Sequence, residues 1–267
     1  MRPCCCSRIL IHFGLIGALL SSAPMFAGEQ DGRTLRVLCY NIHHGEGADG
    51  KVDLPRLAAV IKNARPDLVA LQEVDYKTRR THGVDQTAEL ARLTGLNGRF
   101  GRQIDFEGGQ YGQAILSRFP MSEVRIHWLP GTPDRERRIA VEVEVQIDDH
   151  KLAFITTHLH HIHDTFREQQ ATKLNELFSR AEPPTLLAGD LNANPDSKSQ
   201  AILEKQWQAA TSNAPLLTFP AGEPTKQIDY ILMRPAARFR VISTEVLDQP
   251  VASDHRPLLS VLEFVNR

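Results

Sequence analysis

The sequence has little of several features that mark whole classes of protein. Aromatic residues make up 6% of the 267 positions, and three of the four cysteines, Cys4 to Cys6, stand within the first six residues. Cys39 is the remaining cysteine, so the rest of the chain cannot be held together by intrachain disulfides. Because Leu38 and Tyr40 flank it, Cys39 is predicted to be a small core residue. The 17 Gly and 16 Pro are scattered, which excludes a collagen-like repeat or a low-complexity linker.

An excess of charge of one sign is also missing. The chain has 31 Lys and Arg against 32 Asp and Glu, a formal net charge of -1. Without an overall positive field, a protein specialised for long polyanions such as DNA is not favoured, because neutralisation of phosphates dominates that affinity. The remaining composition, 42% hydrophobic and 24% charged, is typical of an ordinary folded protein and excludes a disordered chain.

The N-terminal segment has the layout of a signal peptide. Arg2 and Arg8 lie beside a mostly apolar stretch, 9–20, which small residues follow up to Ala27. The apolar stretch is shorter than the roughly 20 residues that span a membrane comfortably. We therefore expect residues 1–27 to be removed on export to the periplasm or the cell exterior, and residues 28–267 to form one domain. An uncleaved membrane anchor is the alternative.

Apolar runs of strand length alternate with amphipathic stretches of helix length, a pattern that predicts an α/β protein. The region 107–112, rich in glycine, is predicted to be a loop, and 124–155 an antiparallel meander. Strands with helices between them favour two packed mixed sheets flanked by helices. The predicted strands outside the meander are 35–40, 67–74, 100–104, 114–117, 185–188, 228–233, 239–244 and 258–264, and the predicted helices begin after Asp53 and cover 87–93, 166–181 and 200–204.

Polar or ionisable residues follow or precede nearly every predicted buried strand. Carboxylates at such ends suit a hard cation, amides suit oriented hydrogen bonding, and histidines exchange protons near neutral pH. A single such residue usually forms a turn. Carboxylates, amides and histidines at six strand ends together predict one shared site. The residues are Asn41, Glu73, His158, Asp190 with Asn192, Asp229, and Asp254 with His255.

Seven motifs, in order, resemble those of the endonuclease/exonuclease/phosphatase superfamily, in particular its exported bacterial hydrolases. The resemblance implies a four-layer sandwich like that of deoxyribonuclease I and one site where a divalent metal, Mg²⁺ with Mn²⁺ as a substitute, assists hydrolysis of phosphate esters. The motifs are Tyr40-Asn41-Ile42, Leu71-Gln72-Glu73-Val74, Tyr111 to Ser117, Thr157-His158-Leu159, Gly189 to Pro195, Ile228-Asp229-Tyr230-Ile231 and Ser253 to Pro257.

Magnesium binds few protein carboxylates and keeps several water ligands, so a single well-placed carboxylate ligand is sufficient. Glu73, at the end of an apolar strand, is the predicted ligand and matches the metal-binding glutamate of the family. Asn41 is predicted to support the metal or the phosphate, although a plain capping role is nearly as consistent with its position. Asp254 is predicted to be a second metal ligand or an orienting group.

The predicted catalytic residues handle protons and phosphate oxygens. Asp229 is expected to hold the imidazole of His255, which stabilises or protonates charge that develops on the phosphate. Asp190 is expected to position or deprotonate the attacking water. Asn192 and His158 are expected to hydrogen-bond phosphate oxygens from opposite sides.

Two further residues are predicted to contact the substrate phosphate. Arg138 resembles a family position that touches phosphate, and the alternative is a solvated arginine in the charged run from Asp134. Tyr111 is the other, with a core or loop role as its alternative.

The histidines allow a second interpretation. The run His158-x-His160-His161-x-His163-Asp164 is similar to the zinc-binding run of metallo-β-lactamase-like hydrolases, although Ile162 stands where that motif has aspartate. His160, in turn, stands where many bacterial members of the resembled family have aspartate. His43 and His44 are interpreted as a solvated loop lip.

The sequence has few basic loops that could bind a nucleic-acid strand, because acidic residues lie close to each small arginine cluster. The predicted function is therefore a divalent-metal-dependent phosphodiesterase acting by in-line attack of water on a small phosphodiester, a lipid headgroup or a nucleic acid. We expect a monomer without an obligate protein partner. The alternatives are a nuclease, a zinc hydrolase, and a non-catalytic binding module, which would be expected to have lost at least one of Glu73, Asp190, Asn192, Asp229 and His255.

Overall fold

The computed structural model of the protein describes Met1 and residues 33–132, 136–180 and 182–265. The predicted signal peptide, 1–27, falls almost wholly outside the described residues. Among the helices that are described, none has both the length and the apolar character needed to cross a membrane.

Twelve strands and four α-helices make up the described part of the chain. Two short 3-10 turns, His43–Gly45 and Ala236–Arg238, stand between them. The strands are β1 (Arg33–Asn41), β2 (Leu68–Tyr76), β3 (Asn97–Phe106), β4 (Gly109–Ser117), β5 (Arg125–Trp128), β6 (Ile139–Ile147), β7 (His150–His158), β8 (Thr185–Asp190), β9 (Gln208–Ala209), β10 (Asp229–Arg234), β11 (Phe239–Val246) and β12 (Leu258–Phe264), and the helices are α1 (Leu54–Ala64), α2 (Gln86–Thr94), α3 (Asp164–Leu177) and α4 (Lys198–Leu203).

The strands form two mixed sheets of six. The first has the order β11-β12-β1-β2-β4-β3 and the second the order β5-β6-β7-β8-β10-β9. In each sheet one central pair is parallel, β1 with β2 and β7 with β8, and its neighbours are antiparallel. The predicted α/β class and the antiparallel meander, which is β5-β6-β7, are confirmed.

Three apolar clusters separate the layers. One lies between the sheets, where Val37 and Ala70 of the first pack with Val143 and Phe154 of the second. The second joins α1 and α2 to the outer face of the first sheet, and the third joins α3 and α4 to the outer face of the second. Burial of three separate apolar faces is what stacks helix, sheet, sheet and helix, and the predicted four-layer sandwich is confirmed.

Near one end of the sandwich the apolar interior gives way to a chain of buried polar groups. Gln72 Nε2 donates to Thr156 Oγ1 at 2.9 Å, and Thr156 Oγ1 donates to Gln113 Oε1 at 3.2 Å. Cys39, fully buried as predicted, lies with Sγ 3.7 Å from Gln72 Oε1. Since buried polar groups must be paired, this chain joins the two sheets directly beneath the strand ends.

The predicted loop at 107–112 was wrong. Glu107 and Gly108 have φ of +47° and +81°, so they form a two-residue turn whose twist matches the strands on either side. Pairing therefore resumes at once, between Phe106 and Gly109, and β4 begins five residues before the predicted 114. The other helix and strand predictions were right in type; β12 has its predicted bounds, and most of the others differ at one or both ends.

Candidate active site

Three ionisable residues lie side by side at the ends of three neighbouring strands of the second sheet. His158 ends β7, Asp190 ends the parallel strand β8, and Asp229 begins the antiparallel strand β10, so both neighbours pair with Asp190 in register. The strands can lie this close because residue 189 is glycine: a Cβ there would approach Thr157 O to 2.2 Å. Strand direction and register thus explain why residues far apart in sequence meet.

Asp190 is the centre of the group. Its carboxylate accepts from the Asn192 backbone N–H at 2.9 Å and from Asn41 Nδ2 at 3.1 Å, and its Oδ2 lies 3.5 Å from His158 Nε2 and 3.6 Å from His255 Nε2. Burial, followed by repulsion from Asp229, raises the pKa of Asp190 to about 7. A carboxyl with such a pKa is suited to accept a proton near neutral pH.

His255 lies between two buried carboxylates. Its Nδ1 is 2.9 Å from Asp229 Oδ2, and because an ionised carboxylate only accepts, Nδ1 is the donor. Burial lowers the pKa of His255, but attraction to Asp229 and Asp190 outweighs it and raises the pKa to about 10. The ring also packs at 4.9 Å from that of Phe219. His255 is therefore an imidazolium at neutral pH, with Nε2–H directed toward Asp190.

Glu73 reaches the site through an irregularity in β2, not from the end of the strand. The strand continues to Tyr76, and its pairing with β4 shifts register between Leu71 and Val74. Glu73 lies in this bulge with φ of +58°, a conformation that non-glycine residues seldom adopt. The bulge takes Glu73 out of the regular ladder and turns its carboxylate toward Asn41 and the cavity.

Asn41, which ends β1, connects the two sides of the site. Its Nδ2 donates to Glu73 Oε1 at 3.0 Å as well as to Asp190, and its Oδ1 accepts from the His43 backbone N–H at 3.1 Å. In this orientation the nitrogen faces the carboxylates and the oxygen is engaged by the backbone. The structure thus gives Asn41 the task of aligning two carboxylates, and its predicted role as a direct metal ligand stays a prediction.

The other predicted catalytic and metal-binding residues all line the same cavity. His158 is buried, and burial, followed by the charge of Arg138, lowers its pKa well below the usual value, so its ring is neutral. Asn192 has φ of +49° and donates through Nδ2 to Leu159 O at 3.1 Å, which fixes its side chain at the cavity wall. Asp254 is half-buried and accepts from Ser253 Oγ at 3.3 Å.

Arg138 is buried and not a solvated arginine. Its side chain is 2% exposed, Nη2 donates to His161 Nδ1 at 3.2 Å, and Nη1 pairs with Glu136 at 3.0 Å. Its Nε is buried without a hydrogen-bond partner among the described residues. Tyr111, half-buried in β4, lines the cavity on the Glu73 side, and burial raises the pKa of its phenol, which is therefore protonated.

The cavity between these residues measures about 680 Å³. Sequence reasoning missed several residues of its wall, because neither their type nor their spacing distinguishes them from surface positions. They are Glu136, Asp164, Arg167, Asp196, Phe219 and Lys226. The cavity is lined by six acidic residues (Glu73, Glu136, Asp164, Asp190, Asp196 and Asp254), by three arginine or lysine residues (Arg138, Arg167 and Lys226) and by the imidazolium of His255.

The donor set fits a hard divalent cation. Glu73, Asp190 and Asp254 offer carboxylate oxygens around one cavity, and hard divalent cations prefer such oxygen ligands. Asp190, Asp229 and His255 also have ligand atoms within 4.8 Å of one another. We do not assign the ion to that trio, because His255 Nδ1 is engaged by Asp229 and the ring is protonated.

Among the described residues, the run from His158 to His163 does not bring three potential ligand atoms together. Its residues contribute to neither of the two potential metal-binding groups found in the part of the chain that the structure describes. His160 Nδ1 instead accepts from the backbone N–H groups of Ile162 and His163 at 3.1 and 3.3 Å. These bonds shape the turn into α3 and engage one of the two ring nitrogens of His160.

Comparisons with known proteins agree with this geometry. The model of the endonuclease/exonuclease/phosphatase family matches residues 38–255, and the chain belongs to that family, whose members are hydrolases of phosphate esters. It is similar to the Escherichia coli K12 "uncharacterized protein YbhP", with 25% identity over 241 residues that cover 84% of this chain and 94% of that protein.

Two solved structures illustrate the fold. A Beutenbergia cavernae endonuclease/exonuclease/phosphatase is 26% identical, with a TM-score of 0.72 over 88% of this chain and 72% of its own. The mannosyl-6-phosphatase of Bacteroides thetaiotaomicron is 21% identical, with a TM-score of 0.69 over 86% of this chain and 100% of its own, a likeness that supports the fold alone.

Proposed function

We propose that this protein is a divalent-metal-dependent phosphodiesterase that hydrolyses small phosphate diesters. The observation that carries the proposal is the position of Asp190, hydrogen-bonded to Asn41 and within 3.6 Å of both His158 and His255. A carboxyl whose pKa lies near 7 is thereby placed beside an imidazolium in one cavity. This pairs a proton acceptor with a proton donor, as ester hydrolysis requires.

In the proposed reaction Asp190 orients the attacking water and accepts its proton. His255 donates its Nε2 proton to the leaving ester oxygen, while Asp229 holds the ring in place. Neutral His158 donates a hydrogen bond to a phosphate oxygen. Attack forms the new phosphorus–oxygen bond as the bond to the ester oxygen breaks, so one proton passes from water to Asp190 and one from His255 to the leaving group.

The substrate phosphate is held by groups on both sides of Asp190. Arg138 supplies a buried guanidinium whose Nε is free among the described residues, and Asn192 supplies an amide fixed by Leu159 O. Tyr111 supplies a phenol hydroxyl from the Glu73 side. A Mg²⁺ held by Glu73, with Asp254 as a further donor, would supply charge stabilisation to the phosphate oxygens.

The shape and charge of the cavity favour a small substrate. A volume of about 680 Å³ is within the range of small-molecule sites, and acidic lining residues outnumber arginine and lysine by six to three. A nucleic-acid strand would instead need a continuous basic track for its phosphates. The acidic rim suits a single phosphate group that arrives with a metal ion.

The test is hydrolysis of a bis-aryl phosphodiester and of the matching monoester by the full chain, with magnesium and with a chelator. We expect diester hydrolysis that the chelator abolishes and that Asp190→Asn removes. Asp148→Asn is the matched control, because Asp148 lies in the exposed turn between β6 and β7 and does not line the cavity. Preference for the monoester would contradict the diesterase assignment, and faster cleavage of plasmid DNA than of either aryl ester would contradict the small substrate.

A further inference from the structure

The turn that follows β1 is strained and tightly held. His43, His44 and Gly45 have φ of +44°, +43° and +85°, three consecutive left-handed residues of which two are not glycine. Gln86, fully buried, donates through Nε2 to His44 O at 2.7 Å, and the His43 backbone N–H donates to Asn41 Oδ1. Such strain persists only where the surroundings enforce it, and it clusters at functional sites.

The strained turn brings two imidazoles and a carboxylate together. The ring centroids of His43 and His44 are 4.4 Å apart, and His44 Nε2 lies 3.6 Å from Glu46 Oε2. All three residues offer ligand atoms within 4.8 Å of one another. Two ligand atoms on one tetrahedral zinc ion are about 3.4 Å apart, so the His44–Glu46 separation suits a shared ion better than a hydrogen bond.

The remaining nitrogen of the His43 ring supports this arrangement. His43 Nδ1 lies 3.3 Å from Glu46 O, and since a carbonyl only accepts, Nδ1 carries the proton and Nε2 keeps its lone pair. A backbone carbonyl that fixes the tautomer in this way is a common feature of metal-binding histidines. His44 is 8% exposed, and its Nδ1 is buried without a hydrogen-bond partner among the described residues.

The earlier interpretation of His43 and His44 as a solvated loop lip was therefore wrong for His44. His44 is buried and Gln86 holds its backbone carbonyl, so its ring is fixed beside Glu46. Exposed histidines of a solvated lip would instead be free to rotate.

The adjoining cavity, about 190 Å³, favours a cation over an anion. His43, His44, Glu73 and Glu136 are among its lining residues. The one arginine in its wall, Arg80, is already neutralised, because its Nε and Nη2 each donate to Asp75 at 2.8 Å.

We propose that His43, His44 and Glu46 form a binding site for a borderline divalent cation of the zinc class, separate from the oxygen-lined site at Glu73 and Asp190. Two nitrogens and one oxygen are the donors that zinc prefers, whereas magnesium prefers oxygen alone. Three protein ligands leave a fourth position for water from the cavity. An ion here would hold the turn that donates to Asn41, and so would stabilise the fold beside the active site.

The test is calorimetric titration of zinc into the chelator-treated full chain in the presence of excess magnesium. We expect one zinc site whose affinity falls about tenfold or more in His44→Ala and in Glu46→Gln. The Glu46 side chain is 40% exposed, so Glu46→Gln keeps the test decisive if loss of the buried histidine impairs folding. A double variant, His161→Gln with His163→Gln, is the matched control from the other histidine cluster and is expected to retain the site.

Anomalous diffraction at the zinc edge locates the ion directly, and we expect the peak between His43, His44 and Glu46. Equal zinc affinity in wild type and both variants, or a peak confined to the segment 158–163 or to Asp190 and His255, would overturn the proposal. Both readouts measure binding, so an outcome in either direction is independent of whether the protein hydrolyses phosphodiesters.

Discussion

The two sheets bring different chemistry to the same edge of the molecule. The first sheet contributes Asn41 and Glu73, and Glu73 is half-buried and carried on a strained bulge. The second contributes His158, Asp190 and Asp229, all buried and paired in register across regular strands. The accessible carboxylate of the first sheet suits a metal ion, whereas the buried row of acids and histidine in the second sheet suits proton transfer.

The backbone explains why the two sides differ. A regular ladder places neighbouring side chains at fixed close spacing, so repulsion from Asp229 adds to burial, the larger cause, in raising the pKa of Asp190. A bulge removes one residue from the ladder and re-aims it, which separates Glu73 from its strand neighbours. His255 precedes β12 of the first sheet but pairs with Asp229 and Asp190 of the second, so we count it with the second side. If the division is real, changes on the second side should lower turnover and changes on the first side should weaken metal binding.

The largest expected effect is that of His255→Ala. The change removes the imidazolium between Asp229 and Asp190, and with it the proton donor, so we expect turnover of the aryl phosphodiester to fall roughly 10³-fold. The magnesium concentration for half-maximal activity should stay the same, since His255 is not assigned to the metal. Initial rates across a magnesium titration measure both quantities.

His82→Ala, in an exposed turn, is the matched control, and circular dichroism verifies that both variants are folded. Activity within about tenfold of wild type in His255→Ala would remove His255 from the reaction. A large change in magnesium dependence at unchanged turnover would show that His255 acts on metal binding, and would contradict the division of roles between the two sides.

Glu73→Gln is the reciprocal change on the first side. Glutamine keeps an oxygen that can accept from Asn41 Nδ2, so the local hydrogen bond survives while the charge is lost. We expect the magnesium concentration for half-maximal activity to rise about tenfold or more, with a smaller loss of turnover at saturating magnesium. Glu123→Gln, whose side chain is 90% exposed, is the control. An unchanged magnesium titration would contradict Glu73 as a ligand.

Much of this site was predictable because strand ends were recognisable as apolar runs that stop at polar residues. Asp190 and Asp229 were predicted to share a site, and pairing in register places them side by side. The bulge at Glu73 was not predictable, since register shifts depend on how two strands pair and not on either sequence alone. The same limit explains the two-residue turn at Glu107 and Gly108.

The histidines show the limit more sharply. The spacing of His158 to His163 is typical of a zinc motif, yet His160 Nδ1 is taken by two backbone N–H groups. His43 and His44 have no such spacing, and only the left-handed turn, enforced in part by distant Gln86, brings them to Glu46. Ligand geometry that depends on a tertiary contact cannot be deduced from spacing.

A smaller effect is expected at the buried hydrogen bond that joins the two sheets. Gln72→Leu removes the hydrogen bond to Thr156 and the acceptor of Cys39 while keeping much of the volume. We expect the free energy of unfolding to fall by about 1–3 kcal/mol, measured by urea unfolding at near-neutral pH. The double change with Thr156→Val should cost less than the sum of the single changes, because both partners are then apolar. Strict additivity would show that the bond does not couple the sheets.

The smallest effect concerns Glu142, which has a shifted pKa but no proposed role in catalysis. Glu142 lies on the second sheet like Asp190, but its carboxylate accepts from Arg125 Nη2 at 2.5 Å and lies 2.7 Å from His127 Nε2. Burial raises the pKa of Glu142, but the hydrogen bonds from His127 and Arg125 outweigh it and lower the pKa from 4.5 to about 2. Among the described residues no arginine or histidine is within hydrogen-bond distance of Asp190, whose nearest such groups are His158 Nε2 and His255 Nε2 at 3.5 and 3.6 Å, and its pKa moves in the opposite direction.

A group whose pKa is lowered by folding stabilises the protein above its unfolded pKa, and that contribution is lost as the pH falls toward the folded pKa. Wild type should therefore exceed Glu142→Gln in unfolding free energy by about 1–2 kcal/mol at near-neutral pH, and the difference should shrink as the pH falls from about 4.5 toward 2. Urea unfolding of both proteins at near-neutral pH and at about pH 3 measures it, and turnover should be unchanged. A difference that does not depend on pH would show that packing, and not the charge of Glu142, stabilises this part of the second sheet.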